Sequence, residues 1–131
     1  MSLPSPAGLL RHRAPALLLG ALEEHDGGRL VCRGTDGRRW SWARLLEGTA
    51  QAAGLLAGLQ PDGPGADAVI AEYRDVAVHV ELHRGPVRFA ARLERRLAHF
   101  WRCRCEARAD DGRVLLASRV TLAPGRGRGR R

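Results

Sequence analysis

Apolar and polar residues alternate along the second half of the chain. In Val87 to Arg95 and again in Phe100 to Ala109, apolar and charged side chains change places at nearly every step. A period of two is typical of a strand with one buried face and one wet face. With the apolar runs on either side, the pattern predicts four long strands: 68–80, 87–95, 100–109 and 113–122.

The first half begins with a shorter strand pair. Asp26 is followed by Gly27 and Gly28, and apolar runs lie on both sides of this triplet. Asp-Gly dipeptides favour the tight turns of hairpins, because glycine adopts the required backbone angles without steric cost. We therefore expect a hairpin between strands near 21–24 and 29–33.

Residues 42–59 (WARLLEGTAQAAGLLAGL) have apolar positions at helical spacing, and Ser41 can cap the helix. The stretch is rich in alanine and glycine, although each glycine inside a helix costs about 1 kcal/mol relative to alanine. A chain tolerates this cost when something packs very close to the helix, such as a curling sheet. The PDGPG sequence at 61–65 then ends the helix.

The predicted order is two strands, a helix and four long strands, which is an α+β pattern. The 131 residues suffice for one core. We expect a loose arm at 1–8, one domain at 9–123 and a disordered Arg/Gly tail at 124–131.

The net charge is +8 and all 22 basic residues are arginine. These arginines are scattered along the chain, and the RGRGRR tail supplies much of the net positive charge. The charge therefore does not indicate a dedicated nucleic-acid-binding face. Three cysteines form no disulfide framework, and no close ligand set favours a metal. The longest apolar run, 14–22, is too short to span a bilayer. These features indicate a cytoplasmic protein.

Two segments resemble a known family. Residues 47–54 (EGTAQAAG) resemble the E-x-x-A-Q-A-A-G stretch on the central helix of bacterial 3-hydroxyacyl-ACP dehydratases. Residues 10–19 (LRHRAPALLL) resemble that family's L-P-H-R-x-P-x-L-L-x opening. The chain looks closest to the smaller dehydratase-like proteins of aryl-polyene clusters. The resemblance implies a hotdog fold, in which a long central helix is wrapped by an antiparallel sheet.

The resemblance also implies a chemistry. Removing water from a 3-hydroxyacyl thioester requires a base and an acid beside a buried acyl chain. Glu47 stands where the family has its helix carboxylate, and Gln51 lies one turn on, where it can orient that group. Gly54 would let the acyl chain approach, and Trp42 would line the tunnel mouth or the dimer seam. No cofactor is expected, since the substrate rides on the phosphopantetheine of an acyl carrier protein.

The chain departs from the family where the catalytic histidine belongs. The family's G-H-F-P segment is replaced by GTDGRRWSWA at 34–43, which contains no histidine. His12 remains in the opening motif and His79 lies near a strand end, so either is a candidate second group. Three hypotheses stay open: a dehydratase, a partner subunit of an active hotdog dehydratase in a homodimer or heterodimer, and an acyl thioesterase. The arginines at 102, 104 and 108 indicate a wet sheet face, which could also dock an acidic carrier.

Overall fold

The computed structural model describes residues 17–35, 39–61, 63, 68–97 and 99–125. The first candidate histidine, His12, lies outside them, as do the arm at 1–8 and the last six residues of the tail. Pro124 belongs to the final strand, where it pairs with Ala68. Among the described residues, no helix is long and apolar enough to cross a membrane.

One helix and eight strands make up the described part of the chain. The helix α1 is Trp42–Gly58. The strands are β1 Leu19–Asp26, β2 Arg29–Gly34, β3 Arg39–Ser41, β4 Ala68–Val78, β5 Leu82–Arg84, β6 Val87–Leu97, β7 Phe100–Ala109 and β8 Val114–Pro124.

Six strands form one antiparallel sheet in the order β1-β2-β6-β7-β8-β4, and β3 and β5 form a separate pair. α1 packs across one face of the large sheet, against β6, β7, β8 and β4. The predicted α+β architecture, with a helix against an antiparallel sheet, is therefore confirmed. The short β3–β5 pair was not predicted, because three-residue strands carry too little periodicity to be recognised.

The helix begins where the sequence indicates. The Ser41 side chain accepts a hydrogen bond from the main-chain N–H of Arg44 at 3.2 Å, which satisfies a donor that the first turn leaves unpaired. The main-chain N–H of Trp42 donates to the main-chain carbonyl of Glu81 at 3.1 Å. This bond ties the start of the helix to the segment between β4 and β5. These two hydrogen bonds fix the start of α1 and so the position of the helical turns that follow.

One glycine of α1, Gly48, admits a closely packed sheet. A Cβ built on Gly48 would lie 2.3 Å from the ring of Phe89 on β6. That ring is fully buried and meets Trp40 edge-on, with ring centroids 5.4 Å apart. Trp40 is 1% exposed, so it belongs to the core.

β4 is the exposed edge of the sheet. The alternation of Val76 and Val78 predicts a buried valine face, but these side chains are 40% and 44% exposed. Every residue of β4 after the first is exposed. The prediction of burial is therefore wrong for Val76 and Val78, whereas Val80 just beyond β4 packs against the core. Among the described residues, β4 has a neighbour only on its β8 side and little of the helix covers it.

Candidate functional site

Glu47 lies in the second turn of α1 and is only partly buried, although its neighbours Leu45 and Gly48 are fully enclosed. The carboxylate therefore stands at the boundary between the core and solvent. A charged group in this position keeps access to water and to a ligand while the helix backbone beneath it is rigid.

Gln51 holds the carboxylate in place. Its side chain is 2% exposed, and its Nε2 donates to Glu47 Oε2 at 3.3 Å. Its Oε1 accepts a hydrogen bond from the main-chain N–H of Leu18 at 2.8 Å. The buried amide thus connects the strand entering β1 to the helix carboxylate. Because both Nε2 and Oε1 of Gln51 are hydrogen-bonded, the side chain cannot rotate without breaking a buried hydrogen bond.

A second polar contact fixes this stretch of helix over the sheet. Thr49 Oγ1 lies 2.6 Å from the Leu46 carbonyl, to which it donates, and 3.2 Å from Ser118 Oγ on β8. Both Thr49 and Ser118 are buried. With the Gly48–Phe89 contact beside it, this bond sets the height and rotation of α1, and so the place of Glu47.

The structure also brings Tyr73 of β4 toward Glu47, a residue that sequence reasoning did not select. Tyr73 pairs with Val120, a helix-facing residue of β8, so it occupies the helix-facing side of the edge strand. Partial burial first, and then the nearby charge of Glu47, raise the pKa of the phenol to about 12. The phenol stays protonated at neutral pH and can donate a hydrogen bond.

Three of the predicted helix residues share one face. Gln51 and Gly54 follow Glu47 by four and seven positions, which places all three within about 60° around the helix. Gly54 is partly buried. Trp42 precedes Glu47 by five positions, about 140° away, and is 47% exposed. The structure therefore groups Gln51 and Gly54 with Glu47 and leaves Trp42 on another side of this chain's helix.

The described histidines lie at the margins of the sheet. His79 is exposed just after β4, and its main-chain N–H donates to Leu115. His83 on β5 is partly buried, and His99 is exposed. His25 is partly buried, and its Nε2 has no hydrogen-bond partner in the described part of the chain.

The three cysteines are free and buried. Burial raises the pKa of Cys32 and Cys103 to about 12, and it raises the pKa of Cys105 as well. Such thiols are poor nucleophiles and poor metal ligands near neutral pH. Over the ranges that the structure describes, no three His, Cys, Asp or Glu side chains stand close enough to hold a metal ion.

The arrangement provides one proton-transfer group with two supports. Glu47 can accept or donate a proton, Gln51 orients it, and Tyr73 offers a hydroxyl donor on the opposite wall. A carboxylate held in this way can serve in two kinds of step, proton abstraction and activation of a water molecule.

No family model matches the chain, and no curated protein matches it in sequence. Similar solved structures do exist. The dehydratase heterocomplex ApeI:P from Xenorhabdus doucetiae superimposes with a TM-score of 0.79 at 20% identity, over 95% of this chain and 94% of that chain.

Thioesterases are also among the similar structures. A mutant thioesterase from Pseudomonas aeruginosa gives a TM-score of 0.64 at 16% identity, over 78% of each chain. A hypothetical thioesterase from Streptococcus pneumoniae, crystallised with coenzyme A, gives 0.62 at 12% identity, over 79% of this chain and 83% of that one. At these identities the likeness establishes the fold, and the chain has the hotdog fold that these proteins share.

Proposed function

We propose that the chain is a dehydratase-like hotdog subunit of the cytosol. It acts on 3-hydroxyacyl thioesters carried by an acyl carrier protein, with Glu47 as the proton-transfer group. The observation that carries the proposal is the carboxylate of Glu47 held by the buried amide of Gln51. The similarity of fold to a dehydratase heterocomplex supports it.

In the proposed reaction, a base removes a proton from C2 of the acyl chain, and an acid protonates the hydroxyl that leaves C3 as water. The electron pair of the broken C–H bond becomes the new C2–C3 double bond. Glu47 performs one of these two transfers, and a second group performs the other. Tyr73, whose phenol is protonated at neutral pH, donates a hydrogen bond to the substrate from the facing strand β4.

The second group comes from another hotdog subunit in this proposal. β4 is an eleven-residue edge strand with five large exposed apolar side chains: Val69, Ile70, Tyr73, Val76 and Val78. An uncovered edge of this length and character is prone to pair with another chain. Pairing at β4 would place the second subunit beside Tyr73 and Glu47, where its histidine would complete the site.

A thioesterase is the second candidate. Thioesterases are among the proteins with the same fold. A carboxylate oriented by an amide can activate a water molecule against a thioester carbonyl without a second proton-transfer group. This reaction would release the acyl chain from the carrier and leave a free thiol, a product that differs in mass from the product of dehydration.

Intact-protein mass spectrometry of the carrier separates these candidates. The purified chain is incubated with a 3-hydroxyacyl-ACP and with a plain acyl-ACP, alone and together with a hotdog dehydratase subunit that bears its own histidine. We expect loss of one water from the hydroxyacyl carrier only in the mixture. Turnover by the chain alone that frees the carrier thiol would establish the thioesterase instead.

Matched variants assign the result to the site. Glu47→Gln keeps the shape of the side chain and removes the charge, so we expect it to abolish dehydration. Tyr73→Phe removes one hydroxyl, and a lost hydrogen bond of this kind lowers the rate by about tenfold. Glu81→Gln changes an exposed carboxylate away from the site and serves as control. Unchanged dehydration with Glu47→Gln would refute the proposal.

A further inference from the structure

The face of the sheet opposite α1 carries arginines in register. Pairing of the strands places Arg29, Arg92, Arg104, Arg119 and Arg74 directly opposite one another across β2, β6, β7, β8 and β4. Neighbouring strands are about 4.8 Å apart, so this row is roughly 19 Å long. Like charges in directly opposed positions repel and destabilise a sheet, so a row of five calls for compensating negative charge.

Within the described chain, three arginines of the row have a carboxylate partner, and Arg92 and Arg104 do not. Arg29 pairs with Glu24 at 3.1 Å, and Arg119 pairs with Asp75 at 2.7 Å and with Glu94 at 2.9 Å. At the β4 end of the row, Arg74 lies 3.8 Å from Glu72. Arg92 and Arg104 face each other in mid-sheet, and neither forms an ion pair with a carboxylate in the described residues.

A second arginine row runs parallel to the first. Arg33, Arg88 and Arg108 lie opposite one another on β2, β6 and β7, four residues farther along each strand. Four residues of strand correspond to about 13 Å. The two rows therefore flank a trough that crosses the strands.

The floor of the trough is built from smaller side chains. Val31, Ala90 and Glu106 lie opposite one another between the two rows, and Ala117 continues the line on β8. Glu106 is held by Arg108 at 2.6 Å, which neutralises its charge. The cleft above this floor has a volume of about 540 Å³.

We propose that this trough binds an acidic α-helix of a partner protein. A helix with its side chains is about 10–12 Å wide, which suits the roughly 13 Å between the arginine rows. Acidic side chains on one helix face recur every 5.4 Å, close to the 4.8 Å between neighbouring arginines. The carboxylates of the helix would supply the counter-charge that Arg92 and Arg104 lack.

Nucleic acid fits this face less well than an acidic helix does. The trough has no aromatic side chain on which a base could stack, a contact that single-strand binding commonly uses. The trough also lies on the other side of the sheet from Glu47, so this binding is separate from the proposed reaction.

Fluorescence anisotropy tests the proposal with defined probes. One probe is a labelled helical peptide of about 20 residues with glutamates along one face, long enough to be helical alone. A peptide with glutamine in place of each glutamate and a labelled DNA of similar length are the comparison probes. We expect the glutamate peptide to bind the full chain more tightly than either, and less tightly as salt is raised.

Two double variants locate the binding. Arg92→Gln with Arg104→Gln should weaken glutamate-peptide binding by at least about tenfold, because two charge-assisted contacts are lost. Arg39→Gln with Arg84→Gln removes another opposed pair of exposed arginines, on the β3–β5 sheet, and should change binding by no more than about twofold. Thermal unfolding confirms that both proteins fold.

Three results would overturn the inference. Equal weakening by both double variants would mean that net charge alone attracts the peptide. Equal binding of the glutamine peptide would exclude recognition of carboxylates. Tighter binding of DNA, lost in the Arg92 and Arg104 variant, would make the trough a nucleic-acid surface.

Discussion

Replacement of Gly48 by alanine tests why the helix contains glycine where it meets the sheet. In an exposed helix this change stabilises the fold by about 1 kcal/mol, since alanine has the higher helix propensity. Here the new methyl group would lie 2.3, 2.4 and 3.0 Å from three carbon atoms of the Phe89 ring. Distances this short require the ring, the helix or both to move.

The ring has little freedom to move. Phe89 is fully buried and stands edge-on to Trp40, itself 1% exposed. Overpacking in such a core costs about 1–3 kcal/mol. Set against the gain in propensity of about 1 kcal/mol, the expected result for Gly48→Ala is a loss of about 1 kcal/mol in the free energy of unfolding.

Urea denaturation at 25 °C measures this loss, and a double-mutant cycle assigns it. In a Phe89→Leu background the ring is absent, so Gly48→Ala should be neutral or stabilise by up to about 1 kcal/mol. The coupling between the two positions is then about 1–2 kcal/mol. A gain in stability from Gly48→Ala in the natural sequence, with coupling near zero, would refute the close packing of helix and sheet.

Three further predictions concern other parts of the structure. Gln51→Leu leaves the main-chain N–H of Leu18 without its acceptor and should cost about 1–3 kcal/mol in urea denaturation; an unchanged midpoint would contradict the buried bridge. Val76→Asp puts a charge on the exposed edge strand and should prevent pairing through β4. Native mass spectrometry should then show the 14.3 kDa monomer for this variant and a paired species for the natural chain. Ala43→Asp, on the helix surface, is the control and should leave the pairing intact. Burial raises the pKa of the Cys103 thiol from 9.0 to about 12 in the folded chain. The protonated thiol therefore contributes fully to the free energy of unfolding below pH 9, and this contribution declines as the pH rises toward 12. Between pH 7 and 10.5, the free energy of unfolding should fall less steeply with pH for Cys103→Ala than for the natural chain. Identical slopes for the two proteins would count against burial of the thiol.

The sequence by itself determined the framework of the fold. Period-two alternation marked β6 and β7 because a sheet with one wet face imposes that period on the side chains. Helical spacing and the Ser41 cap placed α1 within one residue of its observed end. The glycine and alanine content of α1 also indicated a close neighbour, which the contact of Gly48 with Phe89 confirms. These features depend on local geometry, which is written along the chain.

Within the candidate site, the sequence supplied Glu47 and Gln51, because residues four apart on a helix share a face. It could not supply Tyr73, which reaches the same site only through the register of β4 on β8. Nor could it place Trp40 in the core, since that depends on the packing of β3 against the sheet.

Tertiary structure alone decided which strand is the edge and which arginines stand opposite one another. The valines of β4 follow the pattern of a buried strand, yet their exposure is set by the strand order, which leaves β4 with one neighbour among the described strands. Arg92 and Arg104 are twelve residues apart in sequence and directly opposed in the sheet. Strand order and register arise from contacts between distant segments, so no local pattern could have determined them.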